Sequence, residues 1–314
     1  MRDKKPSSRR RYLLLRASIV VLGLLALYYI ELTTVQREYF LQRPGEIDRV
    51  VEVHTEERDD WLVQDILLTS TTGLDVSVRV LRPRLADQQP LPVILLAGGL
   101  RTGRSAVDLV TDNGNIAFAA IDYPHSGTGR IRGLWSSLRA VPAFQRGLLD
   151  TPPALLLALD WLAGQAWVDH ARMELVGVSL GVPFVAVAGA LDDRVHRVWL
   201  VQGARDNVAW IETALPRRID GKFKRRQIAR AVSLVGYSAS LDTEQWVAEI
   251  APRKIVVISS RNDEFVPFTA ALGHMKPQEN LEIIWTDSRH VRATRHDVLD
   301  ELLQIVRSRV EFPQ

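Results

Sequence analysis

The sequence predicts an α/β fold with a mostly parallel central sheet, an antiparallel start and helices on both faces. Between residues 93 and 285, short apolar runs alternate with helix-length segments, which is the pattern of parallel strands covered on both faces. Residues 48–81 precede them and show strand-like runs, one of which alternates strictly between apolar and polar positions, as antiparallel strands do. A long apolar stretch at residues 12–30 stands apart from this domain.

Charge is unevenly distributed along the chain. Residues 1–16 carry a net charge of +6, and because the whole chain carries +3, the remainder carries −3. The basic pI therefore gives no argument for nucleic-acid binding, and no such partner is expected. The absence of cysteine excludes disulfides, thiolate metal sites and cysteine nucleophiles.

The apolar stretch at residues 12–30 is interrupted only by Arg16 and Ser18. As a helix it would be about 28 Å long, close to the roughly 30 Å hydrocarbon core of a bilayer. Arg16 lies near the basic end, where a long side chain can extend to the interface, and Tyr28 and Tyr29 suit the opposite interface. The stretch therefore predicts a transmembrane helix.

The positive flank that precedes this helix favours a cytoplasmic N-terminus. We expect a basic cytoplasmic tail at residues 1–11, a transmembrane anchor at 12–30, a juxtamembrane spacer at 31–46 and an extracytoplasmic domain at 47–314, periplasmic or extracellular in a bacterium. A cleaved signal peptide is the alternative, since residues 8–13 look like a twin-arginine export signal. The anchor is preferred because no small-residue cleavage site follows the apolar run.

The strands are predicted in two groups. The antiparallel group lies at 48–54, 61–69 and 74–81, and the parallel group at 93–96, 116–121, 173–178, 198–202, 255–259 and 281–285. Helices are predicted at 105–112, 152–164, 180–190, 269–275 and 292–310. Thr151 and Pro152 suit the N-cap and first position of the second helix. Residues 205–253 are too long for a simple crossover and predict a helical cap.

The pentapeptide Gly177-Val178-Ser179-Leu180-Gly181 separates the strand at 173–178 from the helix that follows it. In a GxSxG pattern the glycines allow a sharp strand-to-helix turn, which presents the serine Oγ above the sheet edge. The first N–H groups of the helix then point at negative charge that develops during attack. A plain glycine-rich turn is the alternative.

With this motif and its context, the chain resembles the α/β-hydrolase superfamily, specifically its dienelactone-hydrolase-like and prolyl-oligopeptidase-like members, from about residue 48 onward. The resemblance implies that Ser179 is a nucleophile, and that an acid and then a histidine base follow it in the chain. In an open parallel sheet such residues lie just after strands.

Residues after two later strands suit the acid and the base. Asp263 follows the strand at 255–259 and precedes Val266-Pro267, as in the family's acid loop; Glu264 and Asp206 are the alternatives. His290 follows the strand at 281–285 and is the expected base, because an imidazole can accept the serine proton and return it. The rival histidines are His125, His274 and His296.

The loop after the strand at 93–96 is expected to form an oxyanion hole. Its Gly98-Gly99-Leu100 sequence resembles the family's glycine-containing loop, although it departs from the His-Gly form. The expected donors are the backbone N–H of Leu180 and that of Leu100 or Gly99. A simple turn is the alternative.

Substrate-binding residues are expected in the loop after 116–121 and in the cap. The candidates are Tyr123 and His125 in the loop, with His125 alternatively a plain loop residue, and Trp210, Leu215 and Phe223 in the cap. The cap also carries a cluster of basic residues, expected to face solvent, anionic headgroups or an anionic substrate: Arg217, Arg218, Lys222, Lys224, Arg225, Arg226 and Arg230.

The sequence thus predicts a membrane-anchored serine hydrolase that cleaves a small-molecule or lipid-like ester, or a thioester or amide, without a metal or other cofactor. A prolyl-oligopeptidase-like peptidase is the second interpretation, although the chain is too short to carry the propeller of those enzymes. A non-catalytic binding protein with the same fold is the third.

Overall fold

The computed structural model describes residues 8–58, 60–84, 89–99, 102–110, 114–124, 134–215 and 219–310. Its centre is a nine-stranded sheet in the order β1-β2-β3-β5-β4-β6-β7-β8-β9. The strands are β1 Ile47–Arg58, β2 Trp61–Ser70, β3 Asp75–Pro83, β4 Leu91–Ala97, β5 Ala117–Ile121, β6 Val168–Val178, β7 Arg197–Val201, β8 Lys254–Ser260 and β9 Leu281–Thr286.

The sheet has the predicted mixture of directions. The pairs β1–β2, β2–β3 and β3–β5 are antiparallel, and the five pairs from β5–β4 to β8–β9 are parallel. Every residue of β4, β5 and β7 is buried, which explains why these strands are apolar runs, apart from Arg197 at the start of β7. All nine predicted strands and the fold class are confirmed.

Helices cover both faces of the sheet, whereas α1 lies mostly outside the domain. The helices of the described residues are α1 Ser8–Thr33, α2 Arg37–Gln42, α3 Leu134–Ala163, α4 Val182–Leu191, α5 Asn207–Ala214, α6 Lys222–Val235, α7 Thr243–Ile250 and α8 His296–Val310. One core contains buried residues of α2, α3, α4 and α7, including Phe40, Leu155 and Trp246. The second core, on the other face, contains Val298 and Leu302 of α8.

The predicted start of the helix at 152–164 is wrong, because α3 begins at Leu134 and continues through Pro152. Thr151 is not an N-cap: its hydroxyl donates to the Gly147 carbonyl at 2.7 Å within the helix. The preceding turn is held by tertiary contacts, since buried Asp150 accepts hydrogen bonds from Arg43 at 2.8 Å and from the Tyr39 hydroxyl. These contacts override the local capping signal.

The other predicted helices differ mainly in type and length. The segments at 105–112 and 269–275 form 3₁₀ turns at Gly103–Leu109, Phe268–Ala270 and Leu272–His274. The last helix begins at His296 rather than at residue 292. The cap region between β7 and β8 contains α5, α6 and α7; α5 packs against α6, and α7 packs against α4.

The N-terminal helix is long and apolar enough to cross a membrane, with a mean hydropathy of 1.8 over Leu15–Thr33 and only 6% of that window buried. The segment expected as a spacer, residues 31–46, packs against the domain: Leu32 is 3% exposed and Phe40 is fully buried. Phe40 packs edge to face on Trp246, with ring centroids 6.1 Å apart.

Candidate active site

The chain turns sharply at Ser179. After β6 ends at Val178, a 3₁₀ turn at Ser179–Gly181 leads into α4, and Ser179 has a φ of 53°. A non-glycine residue in this left-handed region costs about 1–3 kcal/mol, a strain that is found at functional sites. A Cβ on Gly181 would lie 2.0 Å from the Ala97 oxygen, and one on Gly177 2.8 Å from a backbone carbon of Val182. The turn therefore needs both glycines.

His290 connects Ser179 to Asp263. Its Nε2 lies 3.0 Å from Ser179 Oγ, and its Nδ1 lies 2.7 Å from Asp263 Oδ2. The side chains of His290 and Asp263 are only 8% and 3% exposed. The other Asp263 oxygen accepts the N–H groups of Phe265 and Val266, each at 2.8 Å. The parallel strands β6, β8 and β9 thus bring together three side chains that lie far apart in the sequence.

This arrangement suits proton transfer from the serine. With the Nδ1 proton donated to Asp263, Nε2 of His290 is left to accept the Ser179 proton. Asp263 accepts three hydrogen bonds, two of them from backbone N–H groups, and these fix the position of its carboxylate. A carboxylate in this position can stabilise the imidazolium that would form if His290 took up the proton.

Glu264 and Arg295 hold the backbone of His290 from both sides. The Glu264 carboxylate accepts the His290 N–H at 3.0 Å, and Arg295 donates to the His290 carbonyl at 2.5 Å. Arg295 also forms an ion pair with Glu264 at 2.5 Å. Burial opposes ionisation of Glu264, but the hydrogen bonds from Arg295 and from the His290 N–H outweigh it and lower its pKa to about 2. Sequence reasoning considered Glu264 only as a rival to Asp263.

Gln202 supports the same loop from the end of β7. It is 1% exposed and has a φ of 48°, again in the left-handed region. Its side-chain oxygen accepts the Val291 N–H at 2.5 Å, and its amide nitrogen donates to the Arg289 carbonyl at 3.3 Å. Sequence reasoning missed Gln202, although its place at the carboxyl end of a parallel strand was a usable signal.

The rival residues have other contacts. Asp206 caps α5 by accepting the Ala209 N–H at 2.9 Å. The aspartate that contacts the His290 ring is Asp263. His274 packs against Phe268, with ring centroids 4.6 Å apart. His296 begins α8. His125 lies outside the described residues.

Gly99 and Leu180 flank Ser179. A Cβ built on Gly99 would lie 3.8 Å from the Ser179 Cβ, so the backbone of this loop passes close to the serine. Thr102 Oγ1 donates to the Gly99 carbonyl at 2.9 Å, and the Tyr123 hydroxyl donates to the Gly98 carbonyl. Burial raises the pKa of Tyr123. Leu100, the other expected oxyanion donor, lies outside the described residues.

A cleft opens beside the serine, between the strand ends and α5. It is lined by Trp210 together with Ser179, Leu180, Pro183, Gln202, Gly203, Ala204, Asn207 and Val266. Phe223 does not reach it: this residue lies in the first turn of α6 and is 78% exposed. Tyr123 is not among the residues that line the cleft. It packs edge to face on Phe184, with ring centroids 5.8 Å apart, and supports the Gly98 loop.

Comparisons with known proteins bear on the fold. No family model and no curated protein sequence matches the chain. Solved structures do match. An acetyl xylan esterase from Paenibacillus sp. R4 superposes with a TM-score of 0.60 at 17% identity, covering 89% of this chain and 93% of that one. Acetyl xylan esterase 1 from Thermoanaerobacterium sp. JW/SL YS485 gives 0.57 at 14% identity, covering 86% and 92%.

A glucuronoyl esterase from Solibacter usitatus has a TM-score of 0.52 at 17% identity and covers 88% of this chain and 92% of its own. These likenesses extend over nearly the whole length of each neighbour. The sheet order, the turn at Ser179 and these structural likenesses show that this chain has the α/β-hydrolase fold.

Proposed function

We propose that the protein is a membrane-anchored serine hydrolase that cleaves carboxylic esters, with Ser179 as nucleophile, His290 as base and Asp263 as orienting acid. The observation that carries this proposal is the continuous hydrogen-bonded chain from Ser179 Oγ through His290 to Asp263, at 3.0 and 2.7 Å. It reproduces the geometry that nucleophilic acyl transfer requires.

The reaction runs in two halves. Ser179 Oγ attacks the ester carbonyl carbon while its proton moves to His290 Nε2, and the negative charge on the carbonyl oxygen is held by backbone N–H groups of Leu180 and of Gly99 or Leu100. The intermediate collapses as His290 gives its proton to the leaving alcohol oxygen, which leaves an acyl group on Ser179. Water, deprotonated by His290, then releases the carboxylic acid and restores the serine.

An ester is favoured over an amide or thioester because the solved structures quoted above are named as ester hydrolases. Trp210 lines the cleft beside Ser179, and the bulk of its side chain favours a small acyl group. The substrate is then a small-molecule or lipid-like ester whose acyl part is short.

Anchoring rests on α1. A cleavage after the apolar run would remove Tyr28, whose hydroxyl accepts a hydrogen bond from Gln145 at 2.9 Å and so ties the helix to the domain. This contact favours an uncleaved anchor over a signal peptide. With the basic flank on the cytoplasmic side, the hydrolase domain lies outside the cytoplasm.

Kinetics with p-nitrophenyl acetate test the chemistry. We expect the full chain in detergent to release p-nitrophenolate in a burst equal to the enzyme concentration, because an acyl-enzyme accumulates. Ser179→Ala should show neither burst nor turnover. A folded wild-type protein without esterase activity towards acetate or butyrate esters would contradict the proposal.

Carbonate extraction tests the anchor. The full chain should stay in the membrane pellet, while a chain lacking residues 1–31, which keeps the buried Leu32 and Phe40, should be soluble and active. Isolation of a mature protein that begins after Ile30 would show instead that the segment is a cleaved signal.

A further inference from the structure

The helix α1 enters the domain without a flexible connection. Gln145 Nε2 donates both to the Tyr28 hydroxyl at 2.9 Å and to the Val235 carbonyl at 2.8 Å, so one side chain joins α1 to the end of α6. Ser240 Oγ donates to the Thr34 carbonyl at 3.1 Å and accepts the Gln36 N–H at 3.1 Å. The orientation of the domain relative to α1 is therefore fixed.

The end of α6 lies at the level where α1 leaves the bilayer. Tyr28 is one of the tyrosines expected at the membrane interface, and Tyr237, just beyond α6, lies beside Glu31. From Val235 back to Phe223, α6 extends about 18 Å at 1.5 Å per residue. Every residue of α6 therefore lies within about 20 Å of that level, given the anchoring proposed above.

The two faces of α6 differ in character. The inward face carries the buried residues Ala229 and Ser233. The outward face carries exposed cationic, polar and apolar side chains: Phe223, Lys224, Gln227, Arg230 and Ala231. Phe223 is 78% exposed. Cations interleaved with exposed apolar side chains are the pattern of helices that lie on anionic membranes.

The basic residues of the cap divide into two groups, which corrects the expectation that all of them face outward. Arg225 donates to the backbone carbonyls of Glu212 at 2.6 Å and Leu215 at 3.1 Å, and Arg226 pairs with the Glu212 carboxylate at 3.5 Å. These two arginines connect α6 to α5 through hydrogen bonds and an ion pair. Arg217 and Arg218 lie outside the described residues.

We infer that the outward face of α6 is a docking surface for the anionic headgroups of the same bilayer that α1 spans, with Phe223 inserted between them. Lys224 and Arg230 supply the charge, and both are exposed. This inference rests on the proposed membrane anchoring. Arg225 connects α6 to α5 by hydrogen bonds, and α5 carries Trp210 of the cleft. Contact of α6 with the headgroups would therefore also fix the direction in which the cleft faces relative to the bilayer.

A single introduced cysteine tests this surface, since the chain has none of its own. Phe223→Cys in the full chain is labelled with an environment-sensitive fluorophore and reconstituted into vesicles of phosphatidylcholine with or without phosphatidylglycerol. Gln304→Cys is the matched control, because Gln304 is exposed on α8, which packs on the opposite face of the sheet.

In anionic vesicles we expect the label at 223, and not the one at 304, to shift to shorter wavelength and to be quenched by lipids spin-labelled near the headgroup. Replacing Lys224 and Arg230 by Gln should reduce the ratio of docked to undocked protein by about 30-fold, at about 1 kcal/mol per charge. Added salt should weaken docking in the unsubstituted protein.

Identical spectra at 223 and 304 in anionic vesicles would overturn the inference. So would a shift at 223 that persists in detergent and rises with protein density, since the occupant would then be a second copy of the chain. Turnover of p-nitrophenyl acetate and carbonate extraction, measured on the same samples, separate these outcomes from a failure of the proposed esterase or of the anchor.

Discussion

Replacing Glu264 removes a hydrogen bond that holds the backbone of His290. The side chains of Ser179, His290 and Asp263 stay unchanged. In Glu264→Ala the buried His290 N–H loses its acceptor, and Arg295 loses its carboxylate partner. The imidazole should then sample positions away from Ser179. Since a displacement of about 1 Å in a catalytic group can cost about 100-fold, we expect kcat to fall about 10- to 100-fold while KM changes little.

The same change should lower stability by a calculable amount. The pKa of Glu264 is lowered from 4.5 to about 2, and at about 1.4 kcal/mol per tenfold this corresponds to about 3 kcal/mol. The side chain is 31% exposed, and solvent screening reduces the value to about 1–2 kcal/mol. This contribution is fully present above pH 4.5, where the unfolded chain is also ionised, and is lost as the pH falls towards 2.

Steady-state kinetics and urea unfolding at pH 7 and pH 3 measure both effects. Glu264→Gln keeps an oxygen that can accept the His290 N–H, so it should recover most of kcat while still losing the ion pair. Glu282→Ala is the matched control, because it breaks an exposed 2.6 Å pair with Arg309 away from the site. An unchanged kcat in Glu264→Ala would refute the reasoning that this carboxylate positions His290.

Further substitutions give distinct outcomes. Ser179→Ala, Asp263→Asn and His290→Ala should each lower kcat by about 10⁴-fold or more, and the triple variant should lose little more than the worst single one, as steady-state assays would show. Trp210→Ala should raise kcat/KM for a butyrate ester relative to acetate by about tenfold, since added methylenes find room in the cleft. Gly181→Ala should abolish cooperative thermal unfolding in circular dichroism, because its Cβ would lie 2.0 Å from a backbone oxygen.

The parallel part of the sheet could be predicted because its central strands are buried on both faces and are apolar throughout, as in β4 and β5. The juxtaposition of Ser179, Asp263 and His290 followed from topology, since the carboxyl ends of parallel strands share one edge. No side-chain geometry was needed for that step.

Other features depend on contacts that leave no local pattern. Glu264 and Arg295 act on the backbone of His290, a residue distant from Glu264 in the chain. The start of α3 was misplaced because Thr151 mimics a cap, whereas Asp150 is fixed by the N-terminal segment. Phe223 resembled a pocket residue by composition, and only its place in α6 shows that it is exposed.

Reaction with a fluorophosphonate probe tests the central claim most directly, because the probe phosphonylates a serine only when a base activates it. Intact-mass and peptide analysis of the full chain should show a single adduct, on Ser179, that Ser179→Ala lacks and His290→Ala strongly reduces. Absence of any adduct in a folded wild-type sample, or an adduct on another serine, would contradict the account.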